Sequence, residues 1–320
     1  MTELKIKKGF LFLFCLAFFF FPSNNGYAIA QVNYQPPRVQ ALDLEAPPIA
    51  DYPVKINEVQ VPWLTARATL VVDRDSGVVI FEKNKETQLL PASTVKLMTA
   101  LVAQEAYSLD QTLRVEKIND LGQDMKLKEG ELMSVRNLLY GLLVASANDA
   151  AQVLAQSYPG GMRAFIQAMN DKAEALNLTK SYFANPTGLD VNEVDQLVLD
   201  TSYSTAFDLG QLARMVLKDP VLGEMVATRE IIVSDSQGEI DHYLYNINEL
   251  LHWLPGIKGV KTGWTEEAGE CLIGYVERDN RGLITVVLGS QDRFGETAKL
   301  IDWAFANHQW QLVTPAIQPQ

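Results

Sequence analysis

The sequence is short of cysteine, histidine and positive charge, and each shortage excludes something. Only 2 cysteines and 3 histidines occur in 320 residues. Cys15 falls inside an N-terminal apolar run, so Cys271 is the single thiol of the part expected to fold. No intramolecular disulfide can staple such a chain, and its core must hold it together. Cys271 stands in the apolar stretch from Cys271 to Val276 and reads as a small buried hydrophobe rather than a nucleophile. His242, His252 and His308 lack a metal-site spacing, which leaves no zinc peptidase to argue for, and at least two of them are expected at the surface. They build no Ser-His-Asp triad either, because no G-x-S-x-G precedes a helix. Basic residues number 27 against 39 acidic ones, a net charge of −12, which excludes a nucleic-acid binder held by phosphate neutralisation. With 48% apolar and 21% charged residues, the chain is an ordinary globular protein with room for one large domain or two smaller ones.

The N-terminus has a different character. Lys5, Lys7 and Lys8 lead into the apolar run from Phe10 to Phe21, followed by the small residues of Ala28-Ile29-Ala30. This predicts a secretory signal peptide over residues 1–30, cleaved before Gln31. At about a dozen residues the run is short against the roughly 20 of a spanning helix, so no integral membrane span is expected after cleavage. Cys15 follows Phe14 instead of the small residue that a lipidation site needs. The protein is thus expected to be exported, to the periplasm or the extracytoplasmic cell-wall space. Residues 31–53, with Pro36, Pro37, Pro47, Pro48 and Pro53, read as an extended linker. The domain is expected to begin at Val54 and run to 312, with a short tail over 313–320.

Within the domain, Thr69–Val72 and Val78–Phe81 flank a polar turn ending in Gly77 and predict a β-hairpin. Helical spacing follows from Val95 to Val102 and from Val135 to Leu143, then over Met162–Leu176 and Phe207–Leu217. Strands return at Ile257–Trp264, Cys271–Val276 and Leu283–Leu288, and a helix over Thr297–Ala306 closes the pattern. Strands at both ends with a helical middle predict an α+β domain whose terminal segments share one antiparallel sheet flanked by helices, with a helical subdomain.

Ser93-Thr94-Val95-Lys96 sits at the start of the first predicted helix, which brings Ser93 and Lys96 onto one face. A lysine there can take the serine's proton if burial or a nearby cation makes it neutral, and a helix N-terminus offers N–H groups to a developing oxyanion. Alone the pattern is weak, since S-x-x-K is expected about once by chance in a chain of this length. Ser146-Ala147-Asn148 is equally weak, and the same S-x-N spacing recurs at Ser23-Asn24-Asn25 in the leader. Lys261-Thr262-Gly263 is rarer, with roughly 0.1 chance occurrences expected, and falls on a predicted strand. The three patterns occur in the order S-x-x-K, S-x-N, K-T-G, on a helix start, between two helices and on a strand.

In that combination the chain resembles the serine D-alanyl-D-alanine carboxypeptidases, the low-molecular-mass penicillin-binding proteins, from about Val54 to Trp310. The likeness extends over Leu90–Thr99, Ala145–Ala151, Phe183–Asp190 and Gly256–Thr265. It implies a β-lactamase/transpeptidase-like fold, no cofactor, peptidoglycan stem peptides as substrate and β-lactams as covalent inhibitors. It implies that Ser93 forms an acyl-enzyme with Lys96 as general base, while Ser146 relays the proton to the leaving D-alanine and Asn148 binds the substrate backbone. Lys261 and Thr262 would hold the terminal carboxylate. Gly263 would let the peptide lie along the strand edge, and the N–H groups of Ser93 and Trp264 would form the oxyanion hole. Arg293 would assist with the carboxylate. Several such proteins continue into a β-rich domain and an amphipathic helix, whereas this sequence stops at Gln320, so anchoring by that route is not expected.

One alternative is set aside and two remain in view. A class A β-lactamase needs a deacylating glutamate, and Glu174-Ala175-Leu176-Asn177 is one residue short of E-x-x-L-N, with Glu174 expected on a solvated helix face. A D,D-endopeptidase acting on cross-links begins with the same acylation. A non-catalytic wall-binding homologue would keep the fold and lose turnover, against which the intact Ser93, Lys96, Ser146 and Lys261 argue.

Overall fold

The computed structural model describes residues 51–119, 122–190 and 201–312. The expected signal peptide, nearly all of the linker and the 313–320 tail lie outside the described residues. The chain opens with strands β1 (Tyr52–Lys55), β2 (Ala68–Asp73) and β3 (Val79–Lys83), and a 3-10 turn at Ala92–Val95 runs directly into α1 (Lys96–Ala106). A small hairpin, β4 (Thr112–Arg114) with β5 (Leu132–Ser134), introduces α2 (Val135–Leu143), α3 (Asn148–Gln156) and α4 (Gly161–Ala175). After α5 (Ala206–Lys218) and α6 (Pro220–Ala227) comes a second hairpin, β6 (Glu230–Ser234) with β7 (Asp241–Tyr245), and a single-turn helix α7 (Leu250–Trp253). Strands β8 (Ile257–Thr265), β9 (Gly269–Arg278) and β10 (Arg281–Ser290), helix α8 (Arg293–Asn307) and strand β11 (His308–Gln311) complete it.

The main sheet has the order β3-β2-β10-β9-β8, every neighbour antiparallel, so the hairpin from the start of the domain closes onto strands from its end. This is the expected α+β arrangement. Its inner strands read as continuous apolar runs because both faces are covered. Leu70, Val72, Ile273, Ile284 and Val286 face the helical layer, while the intervening Val71, Leu272, Leu283 and Val287 join Leu300, Ile301 and Ala304 of α8. Helix α1 is buried continuously from Lys96 to Ala103, as a helix at the centre of a bundle must be. Two polar residues share that burial: Thr99, whose hydroxyl donates to the Pro186 carbonyl at 2.7 Å, and Lys96.

Helix starts follow local chemistry. Ser134, Thr205 and Asp292 each accept a backbone N–H from the first turn of α2, α5 and α8, and Asp219 does so for α6 with Pro220 at the next position. Such a cap contributes about 1 kcal/mol. The Asp292 cap starts α8 at Arg293, four residues before the expected Thr297, which draws Arg293 into the helix.

Two further expectations are corrected. The fold starts at Tyr52 instead of Val54, because Tyr52 and Pro53, assigned to the linker, pair with Gln311 and Trp310 of β11. Of the histidines only His252 is exposed. His308 is buried with Nδ1 2.9 Å from the Ala304 carbonyl, and His242 is buried between the Met125 carbonyl and the Glu131 carboxylate, at 2.7 and 2.5 Å. Buried imidazoles are tolerated when both nitrogens find partners, and the partner of His242 lies 111 residues away in sequence.

Candidate active site

The site begins with a strained turn. Ala92 has φ of +47°, a left-handed conformation that costs a residue with a Cβ about 1–3 kcal/mol, and it aims Ser93 off the 3-10 turn into a cleft of about 440 Å³. Thr94 helps hold the turn, its hydroxyl donating to the Pro91 carbonyl at 2.7 Å. One turn on, the Lys96 side chain is fully buried. Its Nζ lies 2.9 Å from Ser93 Oγ, 2.7 Å from Asn148 Oδ1 and 2.8 Å from the Thr187 carbonyl oxygen. Burial pushes this amine down to about 7, with the Asp149 carboxylate pulling the other way. Near neutral pH a substantial fraction is therefore uncharged. In that state Nζ has a lone pair, and the 2.9 Å contact can reverse so that Ser93 Oγ–H donates to it, which is the geometry of proton abstraction.

Ser146 occupies the link between α2 and α3 with φ of +58°. Its Oγ accepts from Lys261 Nζ at 2.7 Å, and Lys261 also donates to the carbonyl of Thr262 at 3.0 Å. Lys261 is buried below the cleft surface. Its amine is held well below the usual lysine range, first by burial and then by the positive groups of Lys96 and Arg293. Lys261 thus meets the Ser146 hydroxyl, whereas the sequence reading pointed it at a carboxylate in the open cleft.

The opposite wall is the edge of β8, one of the two edge strands of the main sheet. A Cβ at Gly263 would lie 3.0 Å from Ser93 N and 3.1 Å from the Pro91 carbonyl. The glycine is therefore needed for the strand to press against the nucleophile's own turn, a reason different from the expected one of passage for a bound peptide. Trp264 beside it is largely exposed at the cleft mouth. Arg293 reaches the same edge, its guanidinium donating to the Gly263 carbonyl at 3.0 Å and lying over the Phe294 ring, while its backbone N–H donates to Glu270. Thr262 Oγ1 and Arg293 Nε are buried and have no hydrogen-bond partner among the described residues. An orphaned donor costs about 1–3 kcal/mol, so a pair of them on one wall is capacity for an acceptor that arrives later.

The sequence reading gave no role to the Asn185–Gly188 turn. Asn185 Oδ1 accepts from Thr187 N, Thr187 Oγ1 and Gly188 N at 3.0, 2.8 and 2.7 Å, and its amide donates to Leu189 O. The turn presents the Thr187 carbonyl to Lys96, and a side chain on Gly188, at φ of +81°, would collide with the Ala92 carbonyl. Asn-Pro-Thr-Gly is legible as a turn. What it packs against is not. Gln123 was missed as well: it lines the cleft, its backbone carbonyl accepts from Asn148 N and its side chain donates to Ala145 O. Asp149 accepts from the N–H groups of Met125, Leu127 and Ala150, fixing this segment to the start of α3. Glu174 is exposed on α4 and lines no part of the cleft, as the sequence reading expected of a solvated face.

A serine paired with a buried amine, a second hydroxyl paired with a second amine and a free strand edge define an acyl-transferring serine hydrolase. Solved structures with this fold include a penicillin-binding protein homologue from Mycobacterium tuberculosis, 30% identical with a TM-score of 0.70, covering 83% of this chain and 98% of that one. A DD-transpeptidase of Streptomyces is 28% identical with a TM-score of 0.71, covering 78% of this chain and all of that one. The family model described as D-alanyl-D-alanine carboxypeptidase matches residues 55–292, and the chain belongs to that family. Among curated relatives it is 32% identical to the D-alanyl-D-alanine carboxypeptidase DacF of Bacillus subtilis over 76% of this chain, and spans 63% of that protein's length. It is also 32% identical to a D-alanyl-D-alanine endopeptidase of Escherichia coli, over 76% of this chain and 78% of that one.

Proposed function

We propose that the protein is a serine D,D-carboxypeptidase that removes the terminal D-alanine from peptidoglycan stem pentapeptides, working outside the cytoplasm after export by its signal peptide. The observation that carries this reading is the 2.9 Å contact between Ser93 Oγ and a lysine whose burial brings it to about 7. Lys96 takes the hydroxyl proton, and Ser93 attacks the carbonyl between the two D-alanines. The N–H groups of Ser93 and Trp264 receive the developing oxyanion. Ser146, polarised by Lys261, relays that proton from Lys96 to the amine of the departing D-alanine, which leaves Lys96 neutral, and water then cleaves the ester with Lys96 again as base. Asn148 aligns the peptide backbone, and Thr262 and Arg293 take the terminal carboxylate, which supplies the acceptor their orphaned donors lack. β-Lactams acylate the same serine.

The test is mass spectrometry of a muropeptide pentapeptide and of a cross-linked dimer after incubation with the protein. Loss of one alanine from the pentapeptide is the expected outcome. Cleavage of the dimer alone would instead favour the endopeptidase activity named for the Escherichia coli relative, and turnover of neither substrate would overturn the reading.

A further inference from the structure

One face of the β6–β7 hairpin carries three large side chains that the fold leaves in water: Ile232, Tyr243 and Tyr245 are 57%, 64% and 62% exposed. The register pairs Ile232 with Tyr243 and Glu230 with Tyr245, so strand alternation collects all four on one face, while Val233, His242 and Leu244 turn inward. A shallow depression of about 360 Å³ lies among them. The carboxylates of Glu230 and Asp241 flank the rings, and Ser234 Oγ donates to Asp241 at 2.6 Å. The inward residues do the packing, so the two tyrosines are not needed to hold the hairpin in place.

We propose that this face is a docking platform for the glycan strand of peptidoglycan, an inference that rests on the substrate reading above. An aromatic face is apolar and broad, and it matches the C–H face of a pyranose ring, whose hydroxyls then donate to flanking carboxylates. Two rings on alternate residues stand about 7 Å apart along the strand, which suits consecutive sugars of a linear chain. The acidic flank repels anionic lipid and phosphate polymers at close range, which leaves a neutral polysaccharide as the occupant.

Position supports the assignment. Ile247, two residues beyond Tyr245, lines the catalytic cleft. Between them Asn246 is pinned by its N–H to Arg229 O at 2.7 Å and its amide to Thr228 O at 2.9 Å, so the base of the hairpin is fixed at the cleft mouth. Four residues separate Tyr243 from Ile247, at most about 14 Å, and an extended five-residue stem spans about 17 Å. A stem entering the cleft beside Ile247 therefore has the length to reach back to a sugar lying on the tyrosines.

The experiment measures binding of the full chain to glycan strands stripped of stem peptides, with the lactyl carboxylates that stripping exposes converted to amides so that the polymer is neutral, for the wild type, Tyr243→Thr/Tyr245→Thr and Tyr243→Phe/Tyr245→Phe. Threonine keeps strand preference and phenylalanine keeps the ring. The threonine variant should lose about tenfold or more in affinity, about 1.4 kcal/mol, and the phenylalanine variant should stay within a few-fold of wild type. Both should retain penicillin acylation and soluble-pentapeptide turnover, which also reports that they fold. Equal glycan binding by all three proteins overturns the proposal, as does glycan binding by none. Loss of a concentration-dependent dimer in the threonine variant, with glycan binding intact, reassigns the face to a second copy and overturns it too. Because stripped glycan carries no scissile peptide, failure of the carboxypeptidase reading would appear separately, as absent pentapeptide turnover by wild type.

Discussion

The two walls of the cleft are built on opposite plans. On the helical wall the reacting groups are already engaged: Lys96 contacts Ser93, Asn148 and Thr187, and Ser146 contacts Lys261, all within 2.9 Å. On the strand wall Thr262 Oγ1 and Arg293 Nε are buried without partners among the described residues. Chemistry that repeats every turnover gains from groups held in place beforehand, since no reorganisation is then needed at the moment of reaction. Recognition of a chain end gains from the reverse. Donors that stay unsatisfied until a carboxylate arrives reward the correct ligand and leave an amide or ester poorly bound. On the proposed function, the helical wall would set rate and the strand wall would set which peptide terminus is accepted.

The most severe test of the helical wall is Ser93→Ala, which should abolish covalent penicillin labelling on a denaturing gel while leaving the thermal midpoint essentially unchanged. Undiminished labelling would place the nucleophile elsewhere. Lys96→Arg should come next. Arginine keeps the charge and cannot deprotonate, so acylation should fall by about 10²- to 10⁴-fold, the usual worth of a general base. In wild type the sign follows from burial: the amine must be neutral to act, and it lies at about 7, so acylation should rise with pH through that value. A rate flat between about pH 5 and pH 9 would remove Lys96 from the proton path.

The strand wall should respond more mildly and selectively. Arg293→Ala should lower kcat/KM on a free D-Ala-D-Ala terminus by roughly 10- to 150-fold, from a charged hydrogen bond of about 1.5–3 kcal/mol. On the same peptide with an amidated terminus the mutation should cost little. Equal proportional losses on both substrates would show that Arg293 supports β8 through Gly263 instead of binding the carboxylate. The smallest effect is expected at Asn185→Ala, which breaks the turn carrying Thr187. Losing its several local bonds should destabilise the domain by about 1–3 kcal/mol in denaturant and slow acylation, with the preference for a free carboxylate unchanged. A changed preference would mean that the two walls are not separable.

Much of this was legible in residue order. Ser93 and Lys96 are three apart, so the geometry of one turn is enough to bring them together. The apolar runs in β2, β9 and β10 and the spacing in α4 and α5 announced their elements within a residue or two. The start of α8 was misjudged because its first turn has little apolar spacing and depends on the Asp292 cap. The burial of His242 was missed because its carboxylate partner is supplied from 111 residues away.

What the sequence by itself determined is therefore what short-range sterics and periodicity encode: the five strands of the main sheet, helices α1, α2, α4 and α5, the three motifs and the α+β class. Only the tertiary structure decided which groups meet across the chain. It brought Asn148 and Thr187 to Lys96, set Lys261 under Ser146, pressed Gly263 against the Ser93 turn and left Thr262 and Arg293 with donors to spare. It also decided the state of Lys96, because an isolated lysine titrates near 10.4 and only enclosure by α1, α3 and the Asn185–Gly188 turn withdraws the water that keeps it charged.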